Sequence, residues 1–325
     1  MGTYLVTGAA GFIASKVAEL LLDGGHAVVG VDDMNDAYDV RLKDWRLGRL
    51  EGRDGFTFHR IDICDRAALA KVFGASPAFD AVVNLAARAG VRQSVEDPWV
   101  YVATNLTGTL NLLEACRDRD IGKFVLASTS SLYGKHNEMP YREDADTNRP
   151  LSPYAASKKG AEAMAYTYHH LYGIDVTVLR YFTVYGPAGR PDMSLFRFAQ
   201  WIREGRSLTI FGDGSQSRDF TYVDDIARGT VAGLKPLGYE VINLGSDTPT
   251  VLMDVVRYIE GALGREAEID YQPMHPADVM ATWADISKAR TLLGWEPQTK
   301  WQRGTDLLLE WYEENREWTK DVRTD

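Results

Sequence analysis

Residues Tyr4-Leu5-Val6-Thr7-Gly8-Ala9-Ala10-Gly11-Phe12-Ile13-Ala14 decide the fold of this 325-residue chain. The apolar segment at positions 4–6 predicts a short buried strand, and the glycine-rich turn after it opens a helix that runs to about Leu22. Glycine permits close approach of a ligand to the backbone, and the N-terminus of a helix attracts a pyrophosphate. This order of strand, turn and helix therefore predicts a dinucleotide site at the turn.

A second predicted strand, at positions 27–31, ends in an acidic residue, Asp32. Asp32 comes 24 positions after Gly8, near the spacing of roughly 20 residues at which a carboxylate meets the adenosine ribose of a bound dinucleotide. The Asp32 carboxylate would repel a 2′-phosphate, and no arginine follows it directly. The sequence therefore favours NAD over NADP as the cofactor.

Strands and helices alternate along the chain, which predicts an α/β fold: a doubly wound parallel sheet (Rossmann) with a second, smaller α/β substrate domain. Further strands are predicted at 56–61, 81–85, 124–127, 176–179, 208–211 and 241–244, and further helices at 40–50, 100–117, 195–203 and from 223 onward. The pattern becomes irregular after Gly186-Pro187. We therefore assign 1–185 and about 220–247 to the NAD-binding domain, and 186–219 and 248–325 to the smaller, substrate-binding domain.

A third segment, Leu151-Ser152-Pro153-Tyr154-Ala155-Ala156-Ser157-Lys158, carries the candidate chemistry. Ser152 can cap a helix and Pro153 suits its first position, so Tyr154 and Lys158 lie one helical turn apart on the same face. A free phenol has a pKa of about 10. A nearby ammonium and a cationic nicotinamide ring would favour the phenolate and make it a usable base.

Composition excludes several functional classes. The net charge of −10 and the pI near 5.2 argue against nucleic-acid or anionic-membrane partners. No apolar run approaches the roughly 20 residues of a membrane span. Neither Cys64 and Cys116 nor the pair His169-His170 has the spacing or the additional ligands of a metal site. We therefore expect a cytoplasmic protein with reduced thiols, no leader segment and no metal.

Together, Gly8-x-x-Gly11, Asp32, Asn84-Leu85-Ala86-Ala87, the segment around Ser130 and Tyr154-x-x-x-Lys158 resemble the extended short-chain dehydrogenase/reductase family over essentially the whole chain. The resemblance implies that Tyr154 is the acid/base, that Lys158 holds cofactor and tyrosine, and that Thr129, Ser130 or Ser131 polarises the substrate oxygen. The cofactor-binding residues that it implies are Gly8, Ala10, Gly11, Phe12, Ile13, Asp32, Asp62, Ile63, Leu85, Ala86, Ala87, Tyr154, Lys158 and Tyr181.

Within that family, residues 33–43, 89–92, 180–187 and 190–193 are similar to UDP-glucuronate 4-epimerases. Ser131 stands where sugar-nucleotide dehydratases and UDP-glucuronate decarboxylases carry a glutamate, which favours an epimerase. A decarboxylase on the same substrate, an epimerase of neutral UDP-hexoses and a catalytically inactive NAD-binding regulatory protein remain as alternatives. The resemblance also implies a homodimer formed through the helices at 100–117 and 153–170.

The resemblance further implies where a UDP-sugar binds. Arg190 is the leading candidate to bind the carboxylate of a glucuronate, since a guanidinium matches its planar, charged shape. Arg218 resembles the family's diphosphate ligand, the backbone at 208–214 lies along the uracil, and the loop at 276–279 contacts the ribose. The candidate substrate-binding residues are Arg88, Arg92, Thr183, Arg190, Thr209, Phe211, Arg218 and Asp278.

Overall fold

The computed structural model describes residues 1–76, 78–274 and 278–324. Its main sheet has seven strands, all paired in parallel, in the order β10-β6-β5-β4-β1-β2-β3. The predicted doubly wound parallel sheet is confirmed. The strands are β1 Thr3–Thr7, β2 Ala27–Asp32, β3 Phe56–Arg60, β4 Ala81–Asn84, β5 Lys123–Thr129, β6 Asp175–Tyr181, β7 Thr183–Tyr185, β8 Leu208–Phe211, β9 Ser217–Tyr222, β10 Tyr239–Leu244, β11 Pro249–Val251 and β12 Ile269–Gln272.

Helices cover both faces of this sheet, and each face has its own buried apolar core. One core joins α1 and α9 to the sheet through side chains such as Val17 and Ile226, and the other joins α3, α6 and α7 through side chains such as Leu69 and Leu113. Within the described ranges, no helix has the length and apolar run needed to cross a membrane. The α-helices are α1 Phe12–Asp23, α2 Val40–Gly48, α3 Arg66–Ala75, α4 Gln93–Glu96, α5 Pro98–Tyr101, α6 Thr109–Asp118, α7 Pro153–Tyr172, α8 Ser194–Glu204, α9 Val223–Ala232, α10 Leu252–Leu263, α11 Trp301–Glu314 and α12 Arg316–Thr319.

The order of the strands reverses between β1 and β4, so neighbouring crossovers leave the sheet in opposite directions there. In open α/β sheets this switch point opens a crevice at the carboxyl ends of the strands. The glycine turn follows β1, and residues 85–92 follow β4. The fold therefore brings the two segments together at the place where a ligand is expected.

The helix predicted over 100–117 is divided into three parts. It begins as α5, widens into a π-helical stretch at Val102–Gly108 and continues as α6. In the π-helical stretch the buried Asn105 side chain accepts a hydrogen bond from the Arg88 amide (2.9 Å) and donates to the Arg88 carbonyl (3.0 Å). Short π-helical turns occur often at functional sites, and this one fixes the backbone of a cavity residue.

A smaller set of strands lies beyond β6. Strands β11, β9 and β7 form one sheet, while β12 and β8 pair in parallel. The sequence patterns did not predict the strands β9, β11 and β12 or the helix α3. The proposed domain limit at 185 coincides with the end of β7 at Tyr185, and the limit at 219–220 lies inside β9, which spans 217–222. Both strands belong to the same small sheet. The division into two domains stays a prediction.

Candidate active site

A cavity of about 1050 Å³ opens at the carboxyl edge of the main sheet and extends to the smaller strands. Every residue that the sequence analysis proposed for the site lines this cavity except Ala10. The Ala10 side chain is fully buried and packs near Met34 and Leu47. The fold thus brings together residues that lie as far apart in the chain as Gly8 and Asp278.

The glycine turn packs closely against the end of β4. Gly8 has a φ of +70°, and a Cβ at position 8 would lie 2.9 Å from the Ala86 backbone. The Gly11 amide donates to the Gly8 carbonyl (2.7 Å), and no side chain caps the first turn of α1. Uncapped amides at a helix N-terminus bind phosphate oxygens, so the turn fits the pyrophosphate of a dinucleotide.

Asp32 lies buried at the end of β2, where its carboxylate accepts hydrogen bonds from the Met34 amide (2.8 Å) and from Lys43 Nζ (3.2 Å). Lys43 comes from α2 and is also buried. Its role could not be predicted, because a lysine eleven residues after Asp32 gives no local signal in the sequence. The two residues form a fixed ion pair at the position where an adenosine ribose would lie.

Tyr154 and Lys158 lie in the first turns of α7, as predicted. The Ser152 hydroxyl accepts a hydrogen bond from the Ala155 amide (3.2 Å), and Pro153 occupies the first helical position. Lys158 Nζ donates to the Ala127 carbonyl at 2.9 Å. Burial lowers the pKa of Lys158 to about 8, and the Glu162 carboxylate acts in the opposite direction.

Burial raises the pKa of the Tyr154 phenol above its usual value. The Thr129 hydroxyl, by hydrogen bonding, and the positive charge of Arg190 act against this shift. Both groups favour the phenolate, which is the form that a general base needs. A hydroxyl at the end of β5 and a guanidinium from the segment after β7 therefore both favour the charged form of Tyr154.

The three candidate hydroxyls after β5 take different positions. Thr129 Oγ1 accepts a hydrogen bond from the Ser131 amide (3.1 Å) and donates to Ser131 Oγ (3.1 Å). Ser130 and Ser131 open the 3₁₀ turn Ser130–Tyr133 and face the same cavity. The sequence could not choose among them; of the three hydroxyls, only that of Thr129 lowers the pKa of the Tyr154 phenol.

A buried ion pair lies behind Lys158. Arg180 Nε and Nη2 donate to the two Glu162 carboxylate oxygens at 2.9 and 2.8 Å, and the Ser128 hydroxyl donates to the same carboxylate at 2.6 Å. Glu162 follows Lys158 by four residues, one turn along α7. The spacing was visible in the sequence, but the burial of Glu162 and its partner on β6 were not.

Arg190 is bound through two hydrogen bonds by a neighbouring carboxylate. Its Nε and Nη2 donate to Asp192 Oδ1 and Oδ2 at 3.0 and 2.5 Å, and Nη2 also contacts the Ala89 carbonyl at 3.3 Å. About a quarter of the Arg190 side chain, 23%, stays exposed to the cavity. Arg88 lines the same region, where its Nη1 donates to the side-chain oxygen Asn35 Oδ1 (3.3 Å). This part of the cavity can bind an anion.

In another part of the cavity, the Arg92 guanidinium lies 3.9 Å from the centre of the Phe211 ring and 2.5 Å from Asp278 Oδ2. Arg218 donates to the Ser217 carbonyl at 2.8 Å, and burial lowers its pKa from the usual value. Asp278 is described, whereas Pro276 and Ala277 of the predicted ribose loop lie outside the described residues. Two arginines beside a flat ring form a site suited to a nucleoside diphosphate.

Asp219 supports this end of the cavity from behind. The buried carboxylate accepts hydrogen bonds from the amides of Ser246, Asp247 and Ala284 and from the Thr221 hydroxyl. It therefore joins β9 to two loops distant in sequence. This role of Asp219, the residue next to Arg218, was not predicted from the sequence.

A parallel sheet with a glycine turn at its switch point and a Tyr–Lys pair on the helix after β5 defines a dinucleotide-dependent enzyme of the Rossmann class. Residues 4–245 match the model of the NAD dependent epimerase/dehydratase family. The chain is 56% identical over 324 residues to a UDP-glucuronate 4-epimerase of Thermodesulfobacterium geofontis, with 99% of this chain and 100% of that protein covered. The chain belongs to the NAD dependent epimerase/dehydratase family.

Solved structures of the family are similar over nearly the whole chain. A UDP-glucuronic acid 4-epimerase from Bacillus cereus, in complex with UDP-glucuronic acid and NAD, has 39% identity and a TM-score of 0.89, covering 96% of this chain and 99% of the other. A UDP-glucose 4-epimerase from Thermotoga maritima, with UDP-glucose, has 31% identity and the same TM-score of 0.89, covering 97% and 99%. The names of these two proteins contain different sugars, so the residues of the site decide which sugar this protein accepts.

Proposed function

We propose that this protein interconverts UDP-glucuronate and UDP-galacturonate by inverting C4 of the sugar, with NAD bound throughout the reaction. The observation that carries the proposal is the position of Arg190, whose partly exposed guanidinium lines the same cavity as the Tyr154 phenol. A sugar whose 4-hydroxyl meets Tyr154 would direct the group on C5 toward that guanidinium. A carboxylate there would be bound in a charge-assisted way, and a neutral hydroxymethyl group would not.

The residues around the cavity fit NAD. The amides of the Gly8–Ile13 turn would bind its diphosphate, Asp32 and Lys43 would meet the adenosine ribose, and Tyr154 and Lys158 would lie at the nicotinamide end. When bound, NAD supplies a nicotinamide ring that accepts and returns the hydrogen of C4 as hydride. Because the cofactor is restored in every turnover, no exchange with free NAD is needed.

Tyr154 is the proposed acid and base. As phenolate it takes the proton of the 4-hydroxyl while C4 loses its hydrogen, and it returns a proton when C4 is reduced on the opposite face. The Thr129 hydroxyl beside the phenol orients the 4-oxygen. Lys158, held on the Ala127 carbonyl, keeps a positive charge close to the phenolate.

The 4-keto form of a glucuronate is a β-keto acid, which can lose carbon dioxide. Decarboxylation needs the bond between C5 and the carboxylate aligned with the orbital of the 4-carbonyl. Arg190, with the hydroxyls of Thr183, Ser130 and Ser131 that line the same cavity, would hold the carboxylate out of that alignment. The Ser131 side chain has no acidic group and so cannot act as an acid or base at C5. This supports an epimerase over a dehydratase or a decarboxylase.

The nucleotide would lie at the far end of the cavity. Arg92 and Arg218 would provide two positive charges for the diphosphate, and Asp278, which pairs with Arg92, would accept a ribose hydroxyl. Thr209 and Phe211, on β8, form the wall along which a uracil would lie. The binding energy of this fixed end would keep the UDP in place while the smaller keto sugar rotates.

We also propose a homodimer formed through the faces of α5, the π-helical stretch and α7 that point away from the core. These faces expose Trp99, Val102, Tyr166 and Leu171, with 80% of Trp99 accessible. Exposed large apolar groups concentrated on neighbouring helices are typical of subunit contacts.

The thiols of Cys64 and Cys116 are unpaired, which fits the reducing cytoplasm that we propose as the location.

The test is to incubate the purified protein with UDP-glucuronate, without added cofactor, and to separate the products. We expect UDP-galacturonate, with no pentose and no NADH released. A UDP-pentose as the main product would replace the epimerase by a decarboxylase. Turnover of UDP-glucose alone would leave the Tyr154 chemistry in place and overturn the role of Arg190. The absence of turnover with either sugar, despite bound NAD, would indicate the catalytically inactive alternative.

A further inference from the structure

The segment between β2 and β3 carries a buried arginine without a role in the chemistry derived above. Arg46, on α2, is only 2% exposed. Among residues 1–76, 78–274 and 278–324, no carboxylate lies within ion-pair distance of its guanidinium. A buried positive charge is costly unless polar groups satisfy it, so the groups around Arg46 indicate what it does.

Arg46 binds three separate segments of the site. Nε and Nη2 donate to the Ala188 carbonyl at 2.9 and 2.6 Å, and Nη2 also reaches the Gly189 carbonyl at 3.3 Å. Nη1 donates to the Tyr38 hydroxyl at 2.7 Å and to the Ala10 carbonyl at 3.3 Å. One guanidinium therefore joins the glycine turn, the segment before α2 and the loop just before Arg190.

That loop has a conformation that needs support. Ala188 has a φ of +52°, which an L-residue with a side chain rarely adopts and which costs about 1 kcal/mol or more. The Phe12 ring, which opens α1, lies beneath the guanidinium at 5.7 Å. Two residues after Ala188, Arg190 enters the cavity. The contacts of Arg46 fix the backbone from which that side chain extends.

We propose that Arg46 is a positioning residue that fixes the loop carrying Arg190 relative to the glycine turn, and so sets the preference for an anionic over a neutral sugar. The inference rests on the proposed function. The Arg46 guanidinium binds the Ala10 carbonyl in the glycine turn and the Ala188 carbonyl in the loop that carries Arg190. These contacts fix the separation between the turn and the loop. Arg46 acts through Arg190 and does not contact the substrate.

The planar, five-donor geometry of arginine is essential to this role. A lysine keeps the positive charge but reaches these carbonyls and the hydroxyl from a single nitrogen, so it cannot hold three segments at once. Arg46→Lys is therefore the informative variant. Arg49→Lys is the matched control, because Arg49 is at the end of the same helix but is exposed and pairs with Glu19 at 2.6 Å.

The measurement is the affinity of the NAD-loaded protein for UDP-glucuronate, UDP-glucose and UDP, by calorimetry. In Arg46→Lys we expect the ratio of UDP-glucuronate to UDP-glucose affinity to fall on the order of tenfold, the value of one well-placed charge-assisted contact. UDP affinity and NAD content should stay at the wild-type level, as should all values in Arg49→Lys. An unchanged ratio, or an equal loss for all three ligands, would overturn the proposal.

A milder variant covers the case in which Arg46→Lys does not fold. Tyr38→Phe removes only the hydroxyl that accepts from Arg46 Nη1, and we expect the same ratio to fall by a smaller factor, roughly threefold. No change in the ratio would contradict the proposal. If the wild-type protein itself binds both sugars equally, the proposed function fails and the role of Arg46 fails with it. A wild-type preference that Arg46→Lys leaves unchanged would overturn the role of Arg46 alone, so the two outcomes are distinguishable.

Discussion

The Asp192 carboxylate binds the Arg190 guanidinium through two parallel hydrogen bonds, at 3.0 and 2.5 Å, from only two residues away. This geometry orients the guanidinium plane before any substrate arrives. It also places a negative charge beside the site proposed for the substrate carboxylate. The ion pair thus fixes the orientation of the Arg190 guanidinium, while the N–H groups that do not bind Asp192 stay available to an incoming anion.

We expect Asp192→Asn to lower the rate with UDP-glucuronate by about tenfold, because an amide cannot accept two charge-assisted hydrogen bonds. A pentose should then appear among the products, since a mobile guanidinium no longer fixes the sugar carboxylate. Chromatography of the nucleotide sugars measures both. Asp144→Asn is the matched control: it breaks an Arg142–Asp144 pair of the same two-residue spacing that is exposed to solvent. Wild-type rate and products in Asp192→Asn would refute this role.

Tyr154→Phe should reduce epimerisation on the order of a thousandfold, the range that general acid–base catalysis supplies. Only the phenolic oxygen is removed, so NAD content and UDP binding should not change. Stopped assays of UDP-galacturonate formation give the rate. Tyr166→Phe, on an exposed part of the same helix, should retain full activity. If Tyr154→Phe kept more than about a tenth of the rate, another base would have to be sought.

The activity should decline above about pH 8, where the buried Lys158, whose pKa is lowered to about 8, loses its proton. Glu162→Gln removes the carboxylate that favours the charged ammonium, and it leaves the Arg180 charge uncompensated. Both changes lower the pKa of Lys158, so the alkaline limb of the pH–rate profile should move to lower pH. Ser128→Ala, which removes a hydrogen bond to Glu162 but not its charge, should leave the limb near its wild-type position.

The Glu162→Gln protein should also be less stable, by about 3–5 kcal/mol, because one partner of a buried ion pair remains without its counter-charge. Thermal unfolding measures this loss separately from the pH profile. The profile therefore has to be recorded well below the unfolding temperature. An alkaline limb that does not move, or that moves upward, would contradict the coupling between Glu162 and Lys158.

Phe211→Ala should raise KM for UDP-sugars severalfold and leave kcat nearly unchanged. The ring lies 3.9 Å from the Arg92 guanidinium, and loss of a cation–π contact of about 1 kcal/mol or more weakens the diphosphate end of the site. Steady-state kinetics separate the two constants. Tyr271→Ala, an exposed ring on the neighbouring strand β12, should change neither. A fall in kcat with unchanged KM would place Phe211 at the reacting end instead.

The parts of this molecule that local patterns encode were predictable. The β1 turn, Asp32 and the Tyr154–Lys158 spacing each lie within a short stretch, and the periodicity of apolar residues supplied the central sheet. The segments quoted for the resemblance also line one cavity. Boundaries moved by a few residues, as in β5, where the strand extends to Thr129 and so carries that hydroxyl into the site.

Supporting residues were not predictable, because their partners are distant in the sequence. Arg46 meets the Ala188 carbonyl across 142 positions, and Asp219 meets the Ala284 amide across 65. Such residues look like ordinary surface charges until the fold buries them. The short strands β11 and β12 were missed for a related reason: they have three and four residues, too few to show a period.

Strand β10 completes the edge of the main sheet although the chain reaches it only after building part of the smaller sheet. A polypeptide ending before Tyr239 would leave β6 with an unpaired edge that exposes amides and carbonyls for association with other chains. The last strand of the cofactor half can therefore be added only late in synthesis. We therefore expect the edge at β6 of a nascent chain to stay unpaired, and so open to association with other chains, until β10 has docked.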